Sequence, residues 1–419
     1  NTPFLLSPHN TNVIYQGANK LLRSSFRGEN WEIISPDLTT NDPSKIKGVG
    51  AVQFCTITTI DESPLQKGLI WVGTDDGNVW LTRDSGQNWQ KLNDRIPNNP
   101  HYWVSRVTAS NHHAGRAYLS FTGLYWDDFR PFLYKTEDFG QTWVSISGNL
   151  PQDESINVIK EDRKNPELLF VGTDKGVYVS LDGGQTWVGM KNNLPTVPVH
   201  DLVIHPREND LVVGTHGRGF FITDISPLQE LTADVLAEDV YLFKIEPKVQ
   251  WIMPHQKTVS AQNFAGENEP HGVVINYYLK EPVEGQVTIR ILEGTRVINE
   301  LKGPNKAGLN RVEWGMTKRQ PRTKQEIARW ERQQEFLKKD EEFFDYYDTV
   351  DYYGDPDEEV DKWGRSLRTR VHHPPGLTER QYKYFRVQPG CYTVLLRAGN
   401  QVLSRTAVIL KDYWYDKNY

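Results

Sequence analysis

The chain is poor in sulfur, with two cysteines, Cys55 and Cys391, and three methionines in 419 residues. Two cysteines cannot build a disulfide framework, and no second Cys or His lies at ligand spacing from either, so small buried side chains are expected, with neither metal nor cofactor. Charge of one sign is also missing. With 48 basic and 54 acidic residues the net charge is -6, which leaves no electrostatic footprint for nucleic acid or an anionic membrane surface. No run of about 18 apolar residues is available to cross a bilayer as a helix. The sequence opens at Asn1 with neither a methionine nor a signal segment, so a processing site or fragment boundary is expected there.

What is abundant is aromatic: 13 Trp, 19 Tyr and 16 Phe, a load that favours sheets and broad binding faces. At this length two or three compact units are expected. The octet SLDGGQTW at 180–187 returns as TEDFGQTW at 136–143, TRDSGQNW at 82–89 and, degraded, SSFRGENW at 24–31. Aligned on these octets, about 225 residues read as five copies of one unit of four short strands. In the fourth copy INVIKED, LLFVGT, VYVSLD and TWVGM are the strands, separated by the turn residues of RKNPE, DKG and the octet itself. Four antiparallel strands per repeat, at such spacing, are the blades of a β-propeller.

The octet falls at the hairpin between strands three and four. A short carboxylate there accepts backbone N–H bonds and glycine takes positive φ. Asp84, Asp138 and Asp182 are therefore expected to be turn staples, and Trp31, Trp89, Trp143 and Trp187 to start the fourth strand and bury their rings between blades. Phe26 stands where the first copy should carry Asp.

The pattern Ser/Thr-x-Asp-x-Gly-x-Thr/Asn-Trp resembles the Asp-box, or BNR repeat, of sialidases, xyloglucanases and sortilin receptors. The runs at 104–143 and 214–231 resemble more closely a group of large secreted bacterial BNR-repeat proteins, often labelled glycosyl hydrolase, that end in an immunoglobulin-like module. The resemblance covers residues 1–316 and 385–411. It implies structural Asp-boxes on the face away from any ligand, and a secreted, periplasmic or outer-surface location in a bacterium. It also implies more than five blades, so the chain is expected to be the C-terminal part of a longer protein. A closed five-bladed ring is the alternative.

Strand alternation puts the two-to-three connections, and the links from strand four to the next strand one, on the face opposite the octets. That face collects Asn19, Lys20, Asp75, Asp76, Tyr125, Trp126, Asp127, Asp128, Asp174, Lys175, His216 and Arg218, with Tyr102 and Trp103 of NNPHYW beside them. Tyr102, Trp103, Tyr125, Trp126, His216 and Arg218 are the candidate ligand-binding residues, for a glycan, a peptide or a protein partner. Asp75, Asp76, Asp127, Asp128 and Asp174 are the alternative: an acid and base pair of a glycoside hydrolase, which needs carboxylates roughly 5 to 9.5 Å apart. Aspartates next to glycine more often form turns. The arginine triad of a sialidase is missing.

Residues 1–228 are thus assigned to propeller blades and 229–262 to a linker packed on them. Residues 263–316 with 385–412 alternate as a β-sandwich that resembles the immunoglobulin-like module, and 413–419 are a tail. Residues 317–384 form a charged insertion, with an apolar helical stripe at Ile327, Trp330, Leu337 and Phe344 and an acidic, Tyr-rich stretch at 340–361. The insertion is a candidate docking arm. The fold class is therefore all-β: about five blades belonging to a larger propeller, then a sandwich interrupted by a partly helical insertion. The partners expected are a protein, or the remaining blades of the same protein.

Overall fold

In the computed structural model, residues 2–46, 54–191, 193–251, 269–341 and 381–413 are described. They form two compact units, Asn1–Asp234 and Val235–Tyr419. The first unit is a run of antiparallel meanders, each strand paired with its neighbour in sequence. Sheet one comprises Phe4–Leu6, Ile14–Gly17, Leu21–Phe26 and Glu29–Ile33; sheet two Ile57–Glu62, Ile70–Thr74, Val79–Thr82 and Gln90–Lys91. Sheet three comprises Trp103–Ala109, Ala117–Gly123, Asp128–Thr136 and Val144–Ser145; sheet four Ile156–Glu161, Leu169–Thr173, Val177–Ser180 and Val188–Met190. Sheet five has three strands, Val199–Ile204, Asp210–Thr215 and Phe220–Asp224.

Successive sheets stack face to face on separate apolar layers. Tyr15 and Leu21 meet Ile60, Ile70 and Val72 between the first two sheets. Trp71, Val79 and Leu81 meet Val104, Leu119 and Phe121 between the second and third. Tyr118 and Leu133 then meet Ile159, Leu169 and Trp187, and Phe170 and Val177 meet Leu202 and Val213. The second strands of sheets two and four are buried on both faces, which is why IWVGT and LFVGT are almost wholly apolar instead of alternating. These are propeller blades.

The octets are the hairpins that return strand three into strand four. In each complete copy a Ser or Thr hydroxyl accepts the amide of the fifth octet residue: Gly86 to Thr82 at 3.0 Å, Gly140 to Thr136 at 2.9 Å and Gly184 to Ser180 at 2.9 Å. The aspartate then accepts the amide four residues on, Asn88 to Asp84, Thr142 to Asp138 and Thr186 to Asp182, each at 2.9 Å. Only glycine suits the fifth position: Gly86 has φ +95°, and a Cβ there would lie 2.5 Å from the Ile34 carbonyl of the preceding sheet. The first copy keeps the hydroxyl bond, Gly28 to Ser24 at 3.0 Å, without an aspartate.

Two expectations fail here. Trp143 and Trp187 are buried, but Trp89 is only half-buried and Trp31 is 39% exposed within its strand. Sheet one has no preceding sheet to cover that face among the described residues. The fifth copy has no fourth strand among the described residues either. After Asp224 the chain turns into the short helix Ser226–Glu230, whose second residue is Pro227, and a proline-led helix cannot continue the ladder.

In the second unit a three-stranded sheet (Val240–Leu242, Val273–Leu279, Gly308–Trp314) faces a five-stranded one (Lys248–Gln250, Gln401–Lys411, Gly390–Ala398, Val287–Glu293, Arg296–Gly303). One core of Ile275, Tyr277, Ile289, Val394 and Trp314 fills the sandwich. Val240–Leu242 and Lys248–Gln250 lie in the stretch read as a linker; they are strands of this sandwich, because Val240 and Leu242 bury into its core. The insertion leaves through a two-stranded ladder, Thr317–Pro321 with Tyr382–Arg386. Its helix, Lys324–Glu341, starts at a capping box in which Thr323 N donates to Glu326 Oε2 at 2.7 Å and Glu326 N donates to Thr323 Oγ1 at 3.3 Å. The acidic stretch from 342 onward, with Phe344, and residues 414–419 lie outside the described residues.

Candidate functional site: an aromatic platform on the loop rim

The meander topology places the two-to-three connections of all five sheets, and the links into each new first strand, on the rim opposite the octets. In sheet three that connection is a single 3-10 turn, Leu124–Trp126, closed by Asp127 at φ +55°. The turn holds Tyr125 and Trp126 out of the sheet, 56% and 43% exposed. The link before the first strand brings Tyr102 and Trp103 beneath them. Tyr102 stacks on Trp126 at 5.0 Å and 22°, and Trp103 stacks on Tyr125 at 5.4 Å and 26°. Phe54 touches both pairs, at 6.2 Å from Trp103 and 6.1 Å from Trp126.

Charge fixes the platform from below. Arg130 forks onto Asp128, Nε to Oδ1 at 2.9 Å and a terminal nitrogen to Oδ2 at 2.6 Å, and the Tyr102 hydroxyl donates to the same Oδ2 at 3.2 Å. Hydrogen bonding from Arg130 holds the Asp128 carboxyl at about 2, so it stays ionised and the clamp stays closed at neutral pH. A groove of ≈ 460 Å³ continues beside the platform, lined by Pro97, Pro100, Tyr102, Arg130, Phe132 and Tyr134 among others. That volume lies in the range of small-ligand and peptide-side-chain pockets.

Four of the six candidate binding residues therefore meet in one cluster. The other two, His216 and Arg218, lie on the fifth sheet. His216 packs edge-on against His200 at 5.4 Å with its amide bonded to the Pro198 carbonyl at 2.9 Å, and Arg218 is exposed. Arg106 of sheet three reaches the same neighbourhood, donating to Asp201 Oδ1 at 3.0 Å and to the His200 carbonyl at 3.3 Å. Sequence reasoning missed Phe54 and Arg130. The usable signal for Phe54 was its place just before a first strand, where the third copy carries Tyr102 and Trp103.

The candidate carboxylates are mostly occupied. Asp75 is buried, its Oδ1 accepting the amides of Cys55 (2.8 Å) and Thr56 (2.9 Å) and its Oδ2 the Thr56 hydroxyl (2.6 Å). Burial, seconded by the neighbouring Asp76, raises its pKa as a general acid requires, but its oxygens face donors of its own loops. Asp76, also buried, accepts the Thr40 amide (2.6 Å) and hydroxyl (2.7 Å) and the Thr74 hydroxyl (2.5 Å). Asp174 accepts Asn157 Nδ2 at 2.9 Å, and its Oδ2 has no partner among the described residues. Asp128 is tied to Arg130, and Asp127 serves the turn in its left-handed conformation.

No family model matches the chain, and no curated protein matches it. Among solved structures it is similar to the GH74 xyloglucanase from Xanthomonas campestris, at 14% identity over 96% of this chain and 57% of that one, with a TM-score of 0.42. It is similar to PorZ, a surface component of the type-IX secretion system of Porphyromonas gingivalis, at 13% identity over 97% of this chain and 51% of that one, TM-score 0.38. It is also similar to YCF48 bound to a D1 peptide, at 15% identity over 54% and 70% of the two chains, TM-score 0.36. The match to the GH74 enzyme of Niastella koreensis spans 36% of that protein's length. The fold assignment rests on strand order and register.

Proposed function

We propose that the protein is a non-catalytic, extracytoplasmic propeller scaffold that recognises a peptide segment of a protein partner, within a larger surface assembly, through the aromatic platform of sheet three. The observation that carries this reading is the pair of exposed rings, Tyr125 and Trp126, each backed by a stacked aromatic and standing at 85° to one another. Rigid, pre-stacked Tyr and Trp beside an Arg are what protein interfaces concentrate at their centres, because they bury much area at little entropic cost. A sugar chain would be better served by coplanar rings. The extracytoplasmic placement rests on the resemblance of the repeats to secreted BNR proteins.

The hydrolase reading is disfavoured by the occupied carboxylates, since retained hydrogen bonds from Thr56, Thr40 and Arg130 leave Asp75, Asp76 and Asp128 poor proton carriers. Binding of the full chain to an immobilised array of random peptides tests the proposal. The expected result is a set of retained peptides whose binding falls at least tenfold in both Trp126→Ala and Tyr125→Ala. No loss in those variants would overturn it, as would reducing-sugar release from xyloglucan that Asp128→Asn abolishes.

A further inference from the structure

Sheets one to four each close with a fourth strand, and among the described residues sheet five does not. Among the described residues its outer strand, Phe220–Asp224, pairs on one side only, with Asp210–Thr215. The register says which groups are left over. Ile225 N donates to the Asn209 carbonyl at 3.0 Å, and Thr215 N donates to the Gly219 carbonyl at 3.2 Å. In an antiparallel ladder bonded pairs recur every second residue, so Phe221 and Thr223 point their backbone groups inward at Val213 and Leu211. Phe220, Ile222 and Asp224 point theirs at the open edge.

The side chains on the open side of this strand lie on an uncovered face as well. Phe220 is 78% exposed and Ile222 is 65% exposed, although register equates them with Val177 and Val179 of sheet four, which are buried. In sheet four those valines are covered by sheet five, in one core with Leu202 and Val213, and the edge beside them is separately taken by the fourth strand, with Val177 opposite Met190 and Val179 opposite Val188. An exposed edge with large apolar side chains is costly for a free protein, because it invites pairing.

We propose that this edge receives an extended strand of a second polypeptide, paired antiparallel to Phe220–Asp224 in the place that Val188–Met190 holds in sheet four. The partner strand carries apolar residues at alternating positions, opposite Phe220 and Ile222, as Met190 and Val188 stand opposite Val177 and Val179. Its C-terminal end runs toward Phe220, where Arg218 and His216 are exposed, so an acidic residue there completes the match. This chain's own continuation leaves the edge, because Ile225 and Leu231 bury on either side of the helix Ser226–Glu230.

The test uses the full chain and two synthetic peptides, TWVGMK, which copies residues 186–191, and TWVGME, which ends in an acid. Hydrogen exchange at the amides of Phe220, Ile222 and Asp224 is expected to slow at least tenfold on peptide addition, while Phe221 and Thr223 change little. TWVGME is expected to bind more tightly, and Arg218→Glu to remove that preference. Ile222→Pro deletes an edge donor that the peptide-free chain leaves unused among its described residues, so peptide binding should fall at least tenfold with the thermal midpoint nearly unmoved. If that variant misfolds, peptides N-methylated at alternate amides give the same reading on the unaltered protein. No slowing at saturating peptide overturns the proposal. So does protection of the three amides before peptide is added, or a dimer of the chain that Ile222→Pro dissociates, since the occupant is then this chain itself.

Discussion

Leu169–Thr173 of sheet four and Asp210–Thr215 of sheet five end in the same Val-Gly-Thr and pair with their third strands in the same register, yet only the first sheet is completed. The difference lies in the residues that follow strand three. Ser180, Asp182, Gly184 and Thr186 knit a closed hairpin that turns the chain back along the sheet. Asp224 instead caps its own turn, accepting the Ser226 amide at 2.8 Å, and the chain leaves as a helix. A propeller strand is thus decided by its turn chemistry as much as by its own apolarity.

The comparison is broken most severely at Trp187. Its ring is buried between sheets three and four and its Nε1 donates to the Ile146 carbonyl at 2.9 Å, so Trp187→Ala should cost about 3–5 kcal/mol. Trp31→Ala, at the equivalent place on an uncovered face, should cost less than about 1 kcal/mol. Urea unfolding, with hydrogen exchange to follow sheet four separately, measures both. Equal losses would mean that the uncovered face of sheet one is covered in solution.

Asp182→Ala comes next. It removes three accepted bonds, from Ser180 Oγ, Thr186 N and Thr186 Oγ1, and should cost about 1–2 kcal/mol. The hairpin should survive, because Ser24 holds the first copy together without an aspartate. The smallest effect is one of pH. Asp128 is held at about 2, below the ordinary carboxylate value of about 3.9, so its contribution is complete above that ordinary value and is lost as pH falls through about 2. Trp126 fluorescence should change between about pH 4 and 2 as the Arg130–Asp128–Tyr102 clamp opens, and stay flat between about pH 5 and 8.

Much of this architecture can be read in the residues. The sandwich strands Val273–Leu279 and Gly390–Ala398 follow the alternation that VVINYYL and YTVLL display, because a half-buried strand must alternate, whereas Leu169–Thr173 of sheet four, buried on both faces, reads as an apolar run. Tyr102, Trp103, Tyr125 and Trp126 are recognisable as one site because two adjacent aromatic pairs fall on loops of the same rim. Other features leave weaker traces. Val240–Leu242 and Lys248–Gln250 are three residues each, too short for a period to show, and their pairing is long-range. Whether Trp31 is covered depends on a neighbour outside its own repeat. Asp75 and Asp174 occupy matching places in GTDDG and GTDKG, yet one is buried under three donors and the other retains an oxygen with no partner among the described residues.

One set of bonds between sheets recurs at alternate joints. His9 reaches the Ser63 carbonyl and His112 the Asp162 carbonyl, each at 2.8 Å; the Tyr15 hydroxyl meets Glu62 and the Tyr118 hydroxyl meets Glu161. The indoles of Trp89 and Trp187 likewise reach back to Ile34 and Ile146. Sheets one and two, and sheets three and four, share these latches, while sheets two and three are joined differently, by Thr58 Oγ1 to the Val104 carbonyl and by Ala109 N to Asp61 Oδ2, each at 2.8 Å. Two kinds of joint therefore alternate along the first four sheets, so a substitution at one of the histidine latches loosens a different seam from one at Thr58.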